Sequence, residues 1–517
     1  MKKLLFSLFL SVAVISGFAQ GYQIKIKIKN LKNDTILLGR HFNSQLIPDD
    51  TVKLKNGEGT FSKKKELPGG MYFIFLPRKT YFDILIDKNQ KFSLESDTSN
   101  FLETLKFKDS PENVIFVTYQ KFLSEQGKKA DELKKEREKA ASDPEKIKQI
   151  DAQTAKINDD VKAYYKKTID ENPTFFFSKF LRATAQVEIP TTVTSDKDKY
   201  FYYKNHYFDD FDVSDGRLLR TPIYEGKIDY FLDKVQIQDP DTLNKSVDWL
   251  IEKSRTGKEL FRYMLVHLFN KYASSQVMSA ENVYVHVAEK YYIPEADWSE
   301  KKFIDDLKTK VEHKKNCLLG HQSKDIELEA LPSDSVSLIP IYDQLKKITE
   351  KGLEIEKSKA TDAVKNNQKV ELLSNFYNDF NRPVKLSEIK AEYTILWFWT
   401  PDCSHCREET PKFYKSYMEK LQSKNVKVIT IFLSKDIASW KEFTDDTKKW
   451  PDFIREHKFY GWINTWSPFD PFRANYDISS SPVLYILDKD KKIIVKRVGQ
   501  DQAIEIMDDL LKNETKK

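Results

Sequence analysis

The sequence predicts three folded parts in a row: a small antiparallel β-sandwich, a mainly α-helical middle domain, and a C-terminal α/β domain. Three observations carry this. Residues 22–105 alternate apolar and polar in short runs broken by turn residues. Residues 109–315 place Lys, Glu and then aromatic residues at helical spacing. Residues 393–399 form an apolar run that meets a helical pattern at a pair of cysteines. A chain of 517 residues is too long for one core, and two to four domains are expected.

The first 19 residues stand apart. Lys2 and Lys3 precede an apolar run over 4–15, followed by Ser16-Gly17-Phe18-Ala19-Gln20. A charged start, a short apolar stretch and small residues at 17 and 19 read as a secretory signal cut after Ala19. The run is too short to anchor the chain in a bilayer. An exported product, periplasmic or facing the cell envelope and soluble after cleavage, is therefore expected; an uncleaved anchor is the alternative. Charged residues make up 32% of the chain, yet the net charge is only +6. That balance is weak ground for nucleic-acid binding, and no nucleic-acid motif occurs.

The β-domain is assigned to 20–108. Tyr22, Ile24, Ile26 and Ile28 alternate with Gln23, Lys25, Lys27 and Lys29, a strand with one wet face. Asn56-Gly57 marks a hairpin between runs at 52–54 and 60–61. Further strands are expected at 35–38, 71–76, 82–86 and 92–94. Such short, evenly spaced strands suggest a sandwich. Its role is open between binding and packing.

The helical domain is assigned to 109–315. Ser110-Pro111-Glu112 opens a helix, Ser142-Asp143-Pro144-Glu145 punctuates it, and Asn172-Pro173 ends a second one. The pair reads as a long antiparallel hairpin with a solvated, charged face. Helices follow at 175–186, 220–232, 241–253, 258–273, 280–290 and 300–315. Tyr200 to Tyr203 and Phe208 to Phe211 fall between helices, and their aromatics read as core before they read as a groove. His313, Cys317 and His321 share a helical spacing that would suit zinc. Gly320 and the apolar 317–319 point instead to a helix end, a new strand and a buried single thiol.

The last domain is assigned to 316–517, with a Lys/Glu-rich helical insertion at about 333–380. Strands are expected at 393–399, 426–433, 483–487 and 492–498, with helices at 407–421, 437–449 and 503–512. Cys403 and Cys406 lie at the start of the first of these helices. A helix N-terminus leaves N–H groups unpaired and favours an anion. A thiolate on Cys403 is such an anion, and its pKa should fall below the free value of about 8.5. With Cys317 there are only three cysteines, too few for a disulfide scaffold. The close pair reads as reversible thiol–disulfide chemistry. Half a zinc site is the alternative, but it lacks a second ligand pair.

The run Trp397-Phe398-Trp399-Thr400-Pro401-Asp402-Cys403-Ser404-His405-Cys406, ending in Glu409 and Pro411, resembles the TlpA/ResA-like exported branch of the thioredoxin superfamily. Ser481-Pro482-Val483 matches that family's cis-proline loop. The resemblance covers roughly the last 200 residues, and the β and helical regions are similar to domains of unknown function found upstream in relatives. It implies a thioredoxin-like fold and a set of roles. Cys403 is then the nucleophile and Cys406 the resolving thiol. Ser404 and His405 tune the redox potential, a protonated His405 favouring the thiolate. Glu409 is a proton acceptor, a role that falls to it because Trp397 stands where thioredoxin has a buried Asp. Pro482 is cis and sets Ser481 beside the disulfide to pair with substrate. Trp399, Pro401 and Asp402 form the rim of the site, with Trp399 and Pro401 assigned to substrate contact; a packed rim is the default reading for Trp399 and a flat apolar face toward partners the other. No cofactor or metal is expected. The implied partners are cysteine-containing proteins and a membrane-bound electron donor. A thiol peroxidase is the second reading, although Leu396 replaces the proline expected seven residues before the cysteine. A non-catalytic binding module is the third.

Overall fold

The computed structural model describes residues 21–77, 80–275, 277–334, 339–380, 382–435, 439–467 and 471–514. The expected signal at 1–19, with its cut after Ala19, lies outside the described residues. So do the start of the helix expected at 437 and the irregular stretch 468–470. The chain divides into two compact units, Met1–Gln238 with Lys245–Met264, and Asp239–Asn244 with Leu265–Lys517.

The first unit begins with β1 (Tyr22–Lys29), β2 (Thr35–Phe42), β3 (Gln45–Lys53), β4 (Glu58–Lys63), β5 (Gly70–Leu76), β6 (Thr80–Ile86), β7 (Lys91–Asp97) and β8 (Lys106–Lys108). They form two four-stranded sheets, ordered β4-β1-β7-β8 and β3-β2-β5-β6. The wet and dry alternation of β1 is seen directly: Tyr22, Ile24, Ile26 and Ile28 are buried and their neighbours are exposed. They pack with Phe61, Phe92 and Leu94 against Ile36, Leu38, Tyr72, Ile74, Ile84 and Ile86 of the other sheet. Pairing is antiparallel except between β1 and β7, which run parallel. The Asn56-Gly57 turn has positive φ at both residues, 52° and 84°, as a tight two-residue turn requires. Lys55 and Glu58 bridge across it. Beyond that bridge it is a corner, because β3 pairs with β2 and β4 with β1.

The long hairpin comprises Pro111–Lys139 and Pro144–Glu171. Asp143 caps the second helix, accepting from the Lys146 N–H at 3.1 Å. Ser110 sits at the first cap position but makes no cap bond. Its hydroxyl accepts from the Asn113 side chain at 2.8 Å. That amide in turn brackets the Leu85 backbone of β6 at 2.7 and 2.8 Å, so the capping group is diverted to fasten helix to sheet. The segment 200–203, expected between helices, lies on the helix Asp196–Asn205, capped by Ser195. Its run of β-favouring aromatics masks that helix in the sequence. Tyr207 and Phe211 are buried.

The second unit is built on a seven-stranded sheet ordered β10-β9-β13-β12-β11-β14-β15. Its strands are β9 (Glu327–Ala330), β10 (Pro383–Lys385), β11 (Tyr393–Trp399), β12 (Val426–Phe432), β13 (Ile463–Trp466), β14 (Val483–Leu487) and β15 (Ile493–Lys496). β11, β12 and β13 run parallel, and β14 runs antiparallel to β11. Every residue of β11 is buried, the mark of a central strand covered on both faces. Ile395, Trp397 and Trp399 join a core with Phe413, Tyr417, Trp440 and Met507. Leu396 and Phe398 face the other core, with Phe472, Tyr476 and Cys317.

Three readings of this region need correction. No strand begins at 317; the chain turns there, with Gly320 at φ 79°, and β9 starts only at Glu327. Cys317 is fully buried, and burial pushes its thiol pKa up. β13 was not foreseen in the crossover. The helix expected to stop at 449 spans Trp440–His457 and passes through Pro451. Proline lacks the N–H that the Thr447 carbonyl would accept, but Trp450 just before it and Ile454 beyond it stay buried and hold the helix on the core. The insertion consists of two helices, Ile339–Lys357 and Asp362–Phe380, between β9 and the edge strand β10 that pairs with it.

Candidate active site

β11 ends at Trp399, and the helix Ser404–Lys420 starts five residues later with Cys403 as its cap residue. The Cys403 sulfur accepts the Cys406 N–H at 3.4 Å, which satisfies one of the unpaired donors of the first turn. Its thiol also approaches the Ser481 carbonyl at 3.6 Å. Cys403 is half-buried, Cys406 is buried, and both are free thiols. Burial alone raises the Cys403 pKa. Hydrogen bonds from the Cys406 backbone and thiol, the Ser481 side chain and the His405 N–H outweigh it, and the net shift is downward. Cys406 goes the other way, pushed up chiefly by burial. The two thiols are thus chemically unlike.

The Ser481–Pro482 bond is cis. It opens β14, whose Val483 is registered with Phe398 of β11. That pairing carries the Ser481 backbone to the dithiol. A cavity of about 330 Å³ lies alongside, with His405, Glu409, Ser481, Pro482 and Gln500 in its wall.

The other expected site residues fall in different places. Ser404 and His405 are exposed on the first turn. The help that His405 gives Cys403 comes through its main-chain N–H, where the sequence reading invoked its imidazole. Glu409 is partly buried, its side chain 18% exposed, and pairs with Lys412 at 3.0 Å. Lys412 also holds Glu408 at 2.9 Å. His405, Glu408 and Glu409 cluster, and the Lys412 ammonium pairs with both carboxylates.

Trp399 and Pro401 do not form an exposed rim. Trp399 is fully buried, packed on Phe453 and Phe459. Pro401 is buried too, and its carbonyl accepts from Arg407 at 2.7 Å. Both belong to the support of the site, because the helix Trp440–His457 covers that side. Trp397, in the place of an acid, donates its indole N–H to Thr410 at 3.1 Å and packs on Phe413. Asp402 is the exposed residue of the turn. Lys449 at 2.7 Å and Lys435 at 3.5 Å hold its carboxyl below the usual carboxylate range.

One acid near the site escaped the sequence reading. Asp446 lies on the helix Trp440–His457, is 1% exposed, and accepts from the Thr400 hydroxyl at 3.1 Å. A faint signal exists. Trp440, Phe443, Trp450 and Ile454 mark a buried stripe, and Asp446 is the charge that interrupts it.

Family models match three segments. Residues 391–493 match one described as thioredoxin-like. Residues 22–116 and 136–313 match two domains of unknown function, DUF4369 and DUF5106. The C-terminal segment is thus a thioredoxin-like domain, which supports a redox function in general. Among solved structures, a thioredoxin-like protein from Bacteroides caccae is 17% identical over 62% of this chain and 96% of its own, with a TM-score of 0.39. A domain of a possible thiol-disulfide isomerase from Cytophaga hutchinsonii is 25% identical over 39% of this chain and 98% of its own, at 0.25. The thioredoxin domain of a thiol-disulfide oxidoreductase from Bacteroides vulgatus is 23% identical over 25% and 86%, at 0.22. No curated protein matches the chain. Among the described residues, no helix is long and apolar enough to cross a membrane.

Proposed function

We infer that this chain, whose C-terminal domain belongs to the thioredoxin superfamily, is an exported thiol–disulfide oxidoreductase that reduces disulfides in other proteins. One observation carries the reading: a half-exposed Cys403 with a lowered pKa faces the Ser481-Pro482 loop, while a buried Cys406 with a raised pKa waits behind it.

The reaction follows from that asymmetry. The Cys403 thiolate attacks one sulfur of a substrate disulfide. A mixed disulfide forms and one substrate thiolate leaves. Cys406 then gives up its proton and attacks the Cys403 sulfur, releasing the second substrate thiolate. The pair ends as a disulfide, and two electrons have passed to the substrate. Ser481 offers its backbone to an extended substrate strand, and Glu409 in the cavity wall takes the proton. By resemblance, a membrane-bound reductase resets the pair.

The test is insulin reduction set beside peroxide consumption. The wild type should reduce insulin and leave peroxide untouched. Cys403→Ser should lose the activity by at least 100-fold, and Cys406→Ser should accumulate the mixed disulfide, on the order expected for loss of a nucleophile. Turnover that survives Cys403→Ser sinks the proposal, and peroxide consumption would favour a peroxidase.

A further inference from the structure

The mechanism above makes no use of the carboxyl of Asp446. Its Oδ1 accepts from the Thr400 hydroxyl at 3.1 Å. Its Oδ2 is buried and has no hydrogen-bond partner among the described residues. A buried carboxylate oxygen without a donor is costly when charged, so this group is poised between its two protonation states.

Thr400 connects it to the dithiol. The Thr400 hydroxyl also accepts the Asp402 N–H at 3.3 Å. The Thr400 carbonyl accepts the Cys403 N–H at 3.3 Å. The Thr400 backbone further stabilises the Cys406 thiolate by hydrogen bonding. One threonine therefore touches the buried acid, the turn and both cysteines.

We propose that Asp446 is a positioning residue of the dithiol: acting through Thr400, it sets how readily Cys403 and Cys406 give up their protons. This deepens the oxidoreductase reading and rests on it for its biological meaning. The charged groups around Asp446 are Asp402 in the turn, Lys435 after β12, and Lys449 on its own helix. Across Thr400 the titratable groups are the two thiols. Asp446 is raised to about 6, chiefly by burial and also by Asp402, against the Thr400 hydrogen bond and the two lysines, which pull it down. Below that pH the acid is neutral and fixes the Thr400 hydroxyl without adding charge. Above it, a carboxylate is joined through Thr400 to the turn that carries the sulfurs and disfavours a second negative charge on them. The thiols and the acid then titrate as a linked set.

The experiment is the pH profile of Cys403 alkylation by iodoacetamide on the reduced full chain, read at that residue by peptide mapping. The wild type should show two inflections, one near pH 6 from Asp446 and one from the thiol. Asp446→Asn keeps an acceptor for Thr400 but cannot ionise, so the inflection near pH 6 should vanish and alkylation at pH 7 should speed up. Thr400→Val removes both the link and the bond that favours the carboxylate, so the same inflection should shrink, and what remains of it should move to higher pH. A merely structural Asp446 would leave the profile of a folded variant unmoved. Profiles identical to wild type in both variants overturn the proposal. Alkylation needs no disulfide substrate, so a protein that fails to reduce insulin but shows these shifts would sink the functional reading and leave the linkage standing.

Discussion

At the scale of the residue, the site works by difference. Cys403 and Cys406 are three positions apart, yet one is partly open and stabilised as a thiolate while the other is buried and held as a thiol. The sign is direct. A lowered pKa keeps Cys403 ionised and reactive at pH values where a free thiol, near 8.5, is largely protonated. Brief treatment of the reduced protein with iodoacetamide at pH 7 should therefore label Cys403 at least tenfold faster than Cys406 or Cys317. Equal labelling of Cys403 and Cys406 would show that burial does not separate them. The sequence made this pair legible because two cysteines at the start of a helix carry their chemistry in their spacing. It misplaced Trp399 and Pro401, because exposure depends on what packs over a residue and not on its neighbours in the chain.

At the scale of the element, the helix Trp440–His457 has two jobs. It closes over Trp399 and it brings Asp446 to Thr400. Its seating depends on the insertion. The Trp440 indole donates to the Thr349 carbonyl at 3.3 Å, and the ring lies against Gly352, where an added Cβ would come within 1.9 Å of it. Gly352 is thus needed for close approach, in a helix interior where glycine otherwise weakens the structure. Gly352→Ala should cost about 1–3 kcal/mol by overpacking. The check is the urea midpoint, followed by tryptophan fluorescence, which should fall without a change in slope. An unchanged midpoint would mean that the insertion does not brace this helix. The insertion's helical character was readable from its Lys/Glu spacing. Its docking was not, because a missing side chain leaves no pattern.

At the scale of the whole molecule, two compact units share one chain. Every tryptophan except Trp249 belongs to the second unit, so fluorescence reports mainly on the redox half. Ile24 is fully buried in the sandwich of the first. Ile24→Ala should remove about 2–5 kcal/mol there. Its far-ultraviolet circular dichroism melt should gain an earlier phase, while the tryptophan melt stays in place. A joint shift of both signals would show that the units unfold as one. Where the two phases separate, two-state accounting does not hold for the whole chain, and each unit needs its own stability.

The sequence by itself determined the local grammar: the alternation of β1, the Asn56-Gly57 turn, the paired long helices, the cysteines at a helix start and the proline before β14. Each of these is written in residues that sit close together, where propensity and periodicity act. Tertiary structure alone decided the rest. It sent β3 and β4 to different sheets, laid β1 parallel to β7, carried the helix Trp440–His457 through Pro451 and set Asp446 against Thr400. These outcomes turn on burial and on contacts between residues far apart in the chain, and such energies exist only once the core has closed.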